Sequence, residues 1–151
     1  KNTGMAVTTD VGNPADIHPR NKKAVGERLA NLALKNGLVS PVYKRSQVMG
    51  KTMLIRFSPS VTLTTTRNNP VTGFEMAGPD GYFYPAKAII NKDVVVVSCD
   101  RVDTPVSVRY GWKGDASAIN LITTDGLPVS PFRTDDRDGI TKSNQYKFAL
   151  P

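Results

Sequence analysis

One histidine occurs among the 151 residues, His18, and Asp16 stands two positions before it. Imidazole is the side chain best suited to carrying protons near neutral pH. A neighbouring carboxylate can hold the Nδ1 proton and leave Nε2 free as a base, the orienting task of a triad acid. Pro19 turns His18 away from the helical region, so the Asp-Ile-His segment is expected to run extended. In that form Asp16 and His18 point to one side and Ile17 turns away into apolar packing. The carboxylate favours the imidazolium, and the amino end of a following helix opposes it. An aspartate here also serves as a turn-former or a helix cap, and the spacing alone leaves both roles open. The single cysteine, Cys99, follows a valine run and reads as a small buried hydrophobe. With one cysteine and one histidine the chain has no intrachain disulfide and too few ligands for structural zinc.

The elements that must position this pair lie on either side of it. Met5 to Thr9 is short, apolar and β-branched, and predicts a buried strand. A polar loop, Asp10 to Pro19, leads into a predicted helix from Pro19 to Leu34. There Val25, Leu29 and Leu32 share a stripe widened by Ala24 and Ala33, and Lys23 can pair with Glu27 on the wet side. Pro19 suits the first turn, and Asn36-Gly37 is expected to supply a left-handed stop.

From Pro41 the pattern changes to short strands. Met53, Ile55 and Phe57 alternate with Leu54 and Arg56. Phe74 and Met76 precede a Gly78-Pro79-Asp80-Gly81 turn, with Tyr82 to Ile90 as the returning strand. Asn91-Lys92-Asp93 turns the chain into Val94–Cys99, and Val106, Val108 and Tyr110 alternate in a further strand. Pro59 to Pro70 is expected as an exposed loop or ragged edge strand, and the stretch after Pro131 as a surface strap or a disordered tail. The fold class expected is thus α/β plus β: a strand-loop-helix unit at 1–38, a β-rich, β-sandwich-like module at 39–135, and a tail at 136–151.

Longer stretches carry a resemblance. Met5-Ala-Val-Thr-Thr-Asp-Val-Gly, Asp16-Ile-His-Pro-Arg-Asn-Lys-Lys and Val25-Gly-Glu-Arg-Leu-Ala resemble the closing block of sialate O-acetylesterases, which are SGNH-type serine hydrolases. Gly73-Phe-Glu-Met-Ala-Gly-Pro-Asp-Gly, Tyr84-Pro-Ala-Lys-Ala, Val108-Arg-Tyr-Gly-Trp and Gly126-Leu-Pro-Val-Ser-Pro-Phe-Arg-Thr-Asp resemble the same family in the same order. The resemblance implies the terminal unit of a three-layer α/β hydrolase domain, with His18 as the base and Asp16 as the orienting acid. Many members of the wider superfamily space these as Asp-x-x-His, whereas position 15 here is Ala15, and Asp10 is a poorer alternative near the strand end. The family's Gly-Gln-Ser-Asn nucleophile block has no counterpart, so the serine and its oxyanion-hole donors are expected from outside this sequence.

The activity so implied is hydrolysis of acetyl esters on a sugar, with O-acetylated sialic acid as the substrate that the resemblance favours. No cofactor and no metal are required. The expected partners are the amino-terminal remainder of the esterase and the acetylated sugar. The alternative is a non-catalytic β-sandwich that binds glycans or steadies a neighbouring domain. Tyr82, Phe83, Tyr84, Tyr110 and Trp112 could stack on sugar rings, and Arg109 and Arg133 could hold a sugar carboxylate; packing and ion pairs are the plainer roles. A net charge of +7 does not point to nucleic acid, because the basic residues are scattered and Asp135, Asp136 and Asp138 cluster near one end. No apolar run approaches a membrane span. The resemblance implies a secreted, periplasmic or lysosomal setting.

Overall fold

Alternation over Thr52–Ser58 sends Met53, Ile55 and Phe57 inward and leaves Leu54 and Arg56 half-exposed. In the computed structural model, which describes residues 3–18, 20–35, 37–139 and 142, this segment is the spine of a four-stranded sheet. Naming strands in chain order, β1 is Val42–Met49, β2 Thr52–Ser58, β3 Leu63–Thr65, β4 Phe74–Ala77 and β5 Phe83–Pro85. They are followed by β6 Lys87–Asn91, β7 Val94–Ser98, β8 Ser107–Tyr110, β9 Leu121–Thr123 and β10 Phe132–Arg133. One sheet has the order β1-β2-β7-β6, a second β10-β8-β4-β5, and β3 pairs with β9 alone. Every pairing between these strands is antiparallel.

The two larger sheets share one core. Ile55, Val95 and Val97 from the first and Met76, Val108 and Tyr110 from the second are fully buried in a single cluster. Each such side chain contributes about 1.5–3 kcal/mol by leaving water. Phe132 ties the sheets together: it stacks on Tyr43 of β1 at 5.0 Å and meets Phe57 of β2 edge-on at 5.8 Å. The third sheet closes one end, where the Leu121 N–H donates to the buried Tyr110 hydroxyl at 2.9 Å.

Several expectations for this region need correction. Tyr82 to Ile90 is not one strand: β5 returns beside β4, and after Pro85 the chain crosses to the other sheet as β6. Proline has no N–H for a ladder, and Ala86 instead donates to the Phe74 carbonyl at 3.0 Å at the corner. Val106 lies outside β8 and is exposed, since its N–H bonds the Ala77 carbonyl where pairing ends. Of the two readings of Pro59 to Pro70, the edge strand holds at Leu63–Thr65, which pairs with β9 alone and buries Leu63 and Thr65. The stretch after Pro131 begins as a strand, β10, whose Phe132 is a core residue. Its end, 143–151, lies outside the described residues.

The amino-terminal segment differs more. Met5–Thr9 forms no strand, because no segment among the described residues lies beside it to complete a ladder. The helix, α1, spans Lys22–Leu34 rather than starting at Pro19. Asn21 caps it by accepting from the Ala24 N–H at 3.1 Å, which fixes the start three residues later than expected. Lys35 after its last turn is left-handed at φ 54°; the stop expected at Asn36-Gly37 falls on residue 36, which like residue 19 lies outside the described residues. Lys23 and Glu27 do pair, at 3.7 Å on the exposed side. No residue of α1 is fully buried: Val25 and Leu32 of the stripe are half-buried, and Leu29 is exposed.

Candidate active site

Two consecutive turns carry the residues of interest. Val11 donates to the Thr8 carbonyl and Asp16 to the Asn13 carbonyl, each at 3.1 Å. Asn13 Oδ1 also accepts from the Ala15 N–H at 3.0 Å, so Asn13 shapes its turn through both backbone and side chain. The loop is fastened to α1 by one side chain. The Arg28 guanidinium donates to the Val7 carbonyl at 2.7 Å and to both carboxylate oxygens of Asp10 at 2.6 Å. Asp10, through its hydrogen bonds first, raises the pKa of Arg28 further. The segment before the loop lies close on the helix: a Cβ at Gly4 would come within 3.1 Å of Leu32 Cδ2.

Asp16 and His18 are brought together. The Asp16 Oδ1 accepts from the His18 backbone N–H at 2.9 Å, and the His18 Nδ1 lies 3.6 Å from the same oxygen. That second distance is beyond hydrogen-bond reach, so the two groups adjoin without a side-chain hydrogen bond between them. Asp16 is therefore a turn-former here, with its carboxylate still facing the imidazole; it is not the helix cap, a role taken by Asn21. The imidazole is 82% exposed. Ile17 is 89% exposed and packs on nothing, contrary to the expected apolar contact. The bend at Ile17 and His18 removes the strict strand alternation on which that expectation rested. Asp10 is engaged at both oxygens by Arg28 and so is committed to the loop clamp.

A feature not anticipated from the sequence lies beside this loop. Thr9, Gly12, Asn13 and Pro14 face Gly114, Asp115, Ala116 and Ser117, from the β8–β9 connection, across a cleft of about 200 Å³. The Asp115 Oδ1 accepts from the Ser117 N–H at 2.8 Å. That backbone bond, with help from the Ser117 hydroxyl, holds the Asp115 carboxyl below the usual range. Thr9 Oγ1 is withdrawn from solvent and has no hydrogen-bond partner. The one signal of this wall in the sequence is the turn-forming Gly114-Asp115, and nothing in it says which distant loop it meets.

The aromatic and basic residues fall mostly into packing and ion pairs. Tyr110 is core, and burial raises its hydroxyl pKa. Arg109 lies 3.8 Å above the Phe83 ring, Arg101 4.1 Å above Tyr84, and Arg133 5.3 Å from Trp112. Arg109 donates from Nε and Nη2 to both oxygens of Asp135, at 2.8 and 2.9 Å, which commits that edge of the guanidinium to the ion pair. Cys99 is buried, its thiol directed at the Pro85 carbonyl. Among the described residues no group of three His, Cys, Asp or Glu is placed to hold a metal ion, and no helix is long and apolar enough to cross a membrane.

No protein family and no curated protein matches the chain. Among solved structures, it is similar to a carbohydrate acetylesterase from Xanthomonas citri, at 45% sequence identity and a TM-score of 0.79. The match covers 85% of this chain and 31% of that enzyme, so the chain spans about a third of its length.

Proposed function

We propose that the chain is the carboxy-terminal part of a carbohydrate O-acetylesterase, contributing His18 as proton carrier and Asp16 as its orienting acid. The observation that carries this reading is the Asp16–His18 pair itself. A carboxylate stands 3.6 Å from an exposed imidazole, on a clamped loop, in a chain 45% identical to a carbohydrate acetylesterase. Residues 1–38 would complete a three-layer SGNH-type domain whose other strands come from the amino-terminal remainder. Exposed Met5, Ile17, Leu29 and Leu34 offer that remainder an apolar surface.

In this reading a serine from outside the sequence attacks the acetyl carbonyl carbon. His18 Nε2 takes the hydroxyl proton as the bond forms and passes it to the sugar oxygen as the ester C–O bond breaks. Water then attacks the acetyl-serine, again losing a proton to Nε2, and acetate and the free serine are released. Nδ1 remains toward Asp16, which stabilises the imidazolium. No cofactor enters. O-acetylated sialic acid is the substrate that the sequence resemblance favours, in a secreted, periplasmic or lysosomal setting.

The test is His18→Ala in the complete protein, assayed with 4-nitrophenyl acetate. Turnover is expected to fall about 10²–10⁴-fold with an unchanged circular dichroism spectrum. Near-normal turnover would overturn the assignment. The 151-residue chain alone is expected to show no turnover.

A further inference from the structure

The cleft between the His18 loop and the β8–β9 connection has a composition that the proton-transfer chemistry does not use. One wall comes from the amino-terminal unit and holds Thr9 and Asn13; the other comes from the β-rich part and holds Gly114, Asp115 and Ser117. Asp16 is joined to Asn13 by a single tight turn, so the cleft opens beside the pair that carries the chemistry.

We infer that this cleft is a sugar subsite, in which the β-rich part of the chain holds the hydroxyl-bearing ring whose acetyl group is presented to His18. The inference rests on the proposed esterase reading and names a second wall for the same site.

The chemistry of the walls selects a polyol. A sugar ring offers neighbouring hydroxyls, each a donor and an acceptor, and is best met by mixed groups held at fixed positions. The cleft supplies such a set. Asp115 uses Oδ1 on the Ser117 N–H, which fixes the carboxylate plane and leaves Oδ2 to accept from a hydroxyl. Asn13 uses its carbonyl oxygen on the Ala15 N–H, which leaves its amide group to donate. Ser117 closes the exposed rim, its hydroxyl already turned to the Asp115 carboxylate. The lining carries no large apolar side chain and no lysine or arginine. A fatty acyl group or a phosphate therefore finds little there. With about 200 Å³ the cleft accommodates a single ring rather than a chain of rings.

Two substitutions test this in the complete protein. Asp115→Asn keeps an oxygen to cap Ser117 and removes the charge. Gly114→Trp fills the cleft, and the backbone there tolerates it: a Cβ at Gly114 meets nothing within 4 Å, and its φ is not left-handed. Each variant is assayed with 4-nitrophenyl acetate, which has no sugar, with an O-acetylated neutral oligosaccharide, and with an O-acetylated sialoside. The expected result is a fall of about tenfold or more in kcat/KM for one or both sugar esters, with the nitrophenyl ester within about twofold of the unmodified protein. The sugar whose hydrolysis falls is the one the cleft holds. Unchanged kcat/KM for both sugar esters in both variants would overturn the subsite. An equal fall on all three substrates would overturn it too, since a general loss is not sugar recognition. His18→Ala in parallel separates the two ideas: full activity of that variant sinks the esterase reading, whereas its inactivity beside unaffected Asp115→Asn and Gly114→Trp sinks the subsite alone.

Discussion

Arg28 reaches back eighteen positions to grip both carboxylate oxygens of Asp10, each at 2.6 Å, while the same guanidinium holds the Val7 carbonyl. This clamp is the main polar tie between α1 and the loop that carries His18. Arg28→Ala is expected to cost about 1–3 kcal/mol in the amino-terminal unit and to speed hydrogen exchange at Val11 and Asp16. Arg28→Lys should recover little of it, because an ammonium cannot span two oxygens and a carbonyl as a planar fork does. Equal protection in all three proteins would show that the loop is held by something else.

Asp16 performs a turn and faces a ring at once, and the two duties can be separated. Asp16→Asn keeps an oxygen for the His18 N–H but removes the charge opposite Nδ1. In the complete protein the melting temperature should stay within about 1 °C, since turn-former amides substitute well for carboxylates. Turnover of 4-nitrophenyl acetate should drop by up to about 10⁴-fold, the scale known for loss of a triad carboxylate. Full activity would leave Asp16 a turn-former only.

Asp135 is 3% exposed at its side chain and carries Arg109 in a bidentate pair, with Arg133 at 3.5 Å. Arg109, through its hydrogen bonds first, holds the Asp135 carboxyl below the usual range. The unfolded chain therefore takes up this proton at higher pH than the native one. The stabilisation is complete above the ordinary carboxylate value of about 4, and it is lost as pH falls from there through the lowered native value. Asp135→Ala should destabilise by about 3 kcal/mol near neutral pH, chiefly through the uncompensated Arg109. Asp135→Asn should flatten the acid limb of a urea-unfolding series; an unaltered limb would rule this pair out as its source.

The Tyr110 hydroxyl is the acceptor for the Leu121 N–H inside the core. Tyr110→Phe leaves that donor buried without a partner and should cost about 1–3 kcal/mol by urea unfolding, with an unchanged m-value. A loss below about 0.5 kcal/mol would mean that the third sheet finds another acceptor.

Local alternation made the cores of β2 and β4 readable, because period-two patterns report burial directly, and an unbroken valine run did the same for β7. The turn at Lys92 was equally legible, with Asn91 and Asp93 beside it. Pairing at a distance was not readable. Phe132 stands in a stretch without periodicity, and only its position between Tyr43 and Phe57 makes it a core residue. Met5–Thr9 has strand composition, yet a ladder needs a second chain segment that composition cannot supply. Near the candidate site, the closeness of Asp16 and His18 followed from their separation of two residues. The Arg28 clamp and the facing Gly114–Ser117 wall did not, since both depend on how loops far apart in sequence come to adjoin.

None of the thirteen residues of α1 is buried, while Val95, Val97 and Val108 are wholly enclosed. Helices of that length are marginal by themselves, so the molecule should open in unequal instalments. Deuterium should label the amides of α1 within the first moments of exposure to heavy water, long before it reaches the valines between the sheets. Any surface that later lies down on this helix would announce itself as a delay in that labelling.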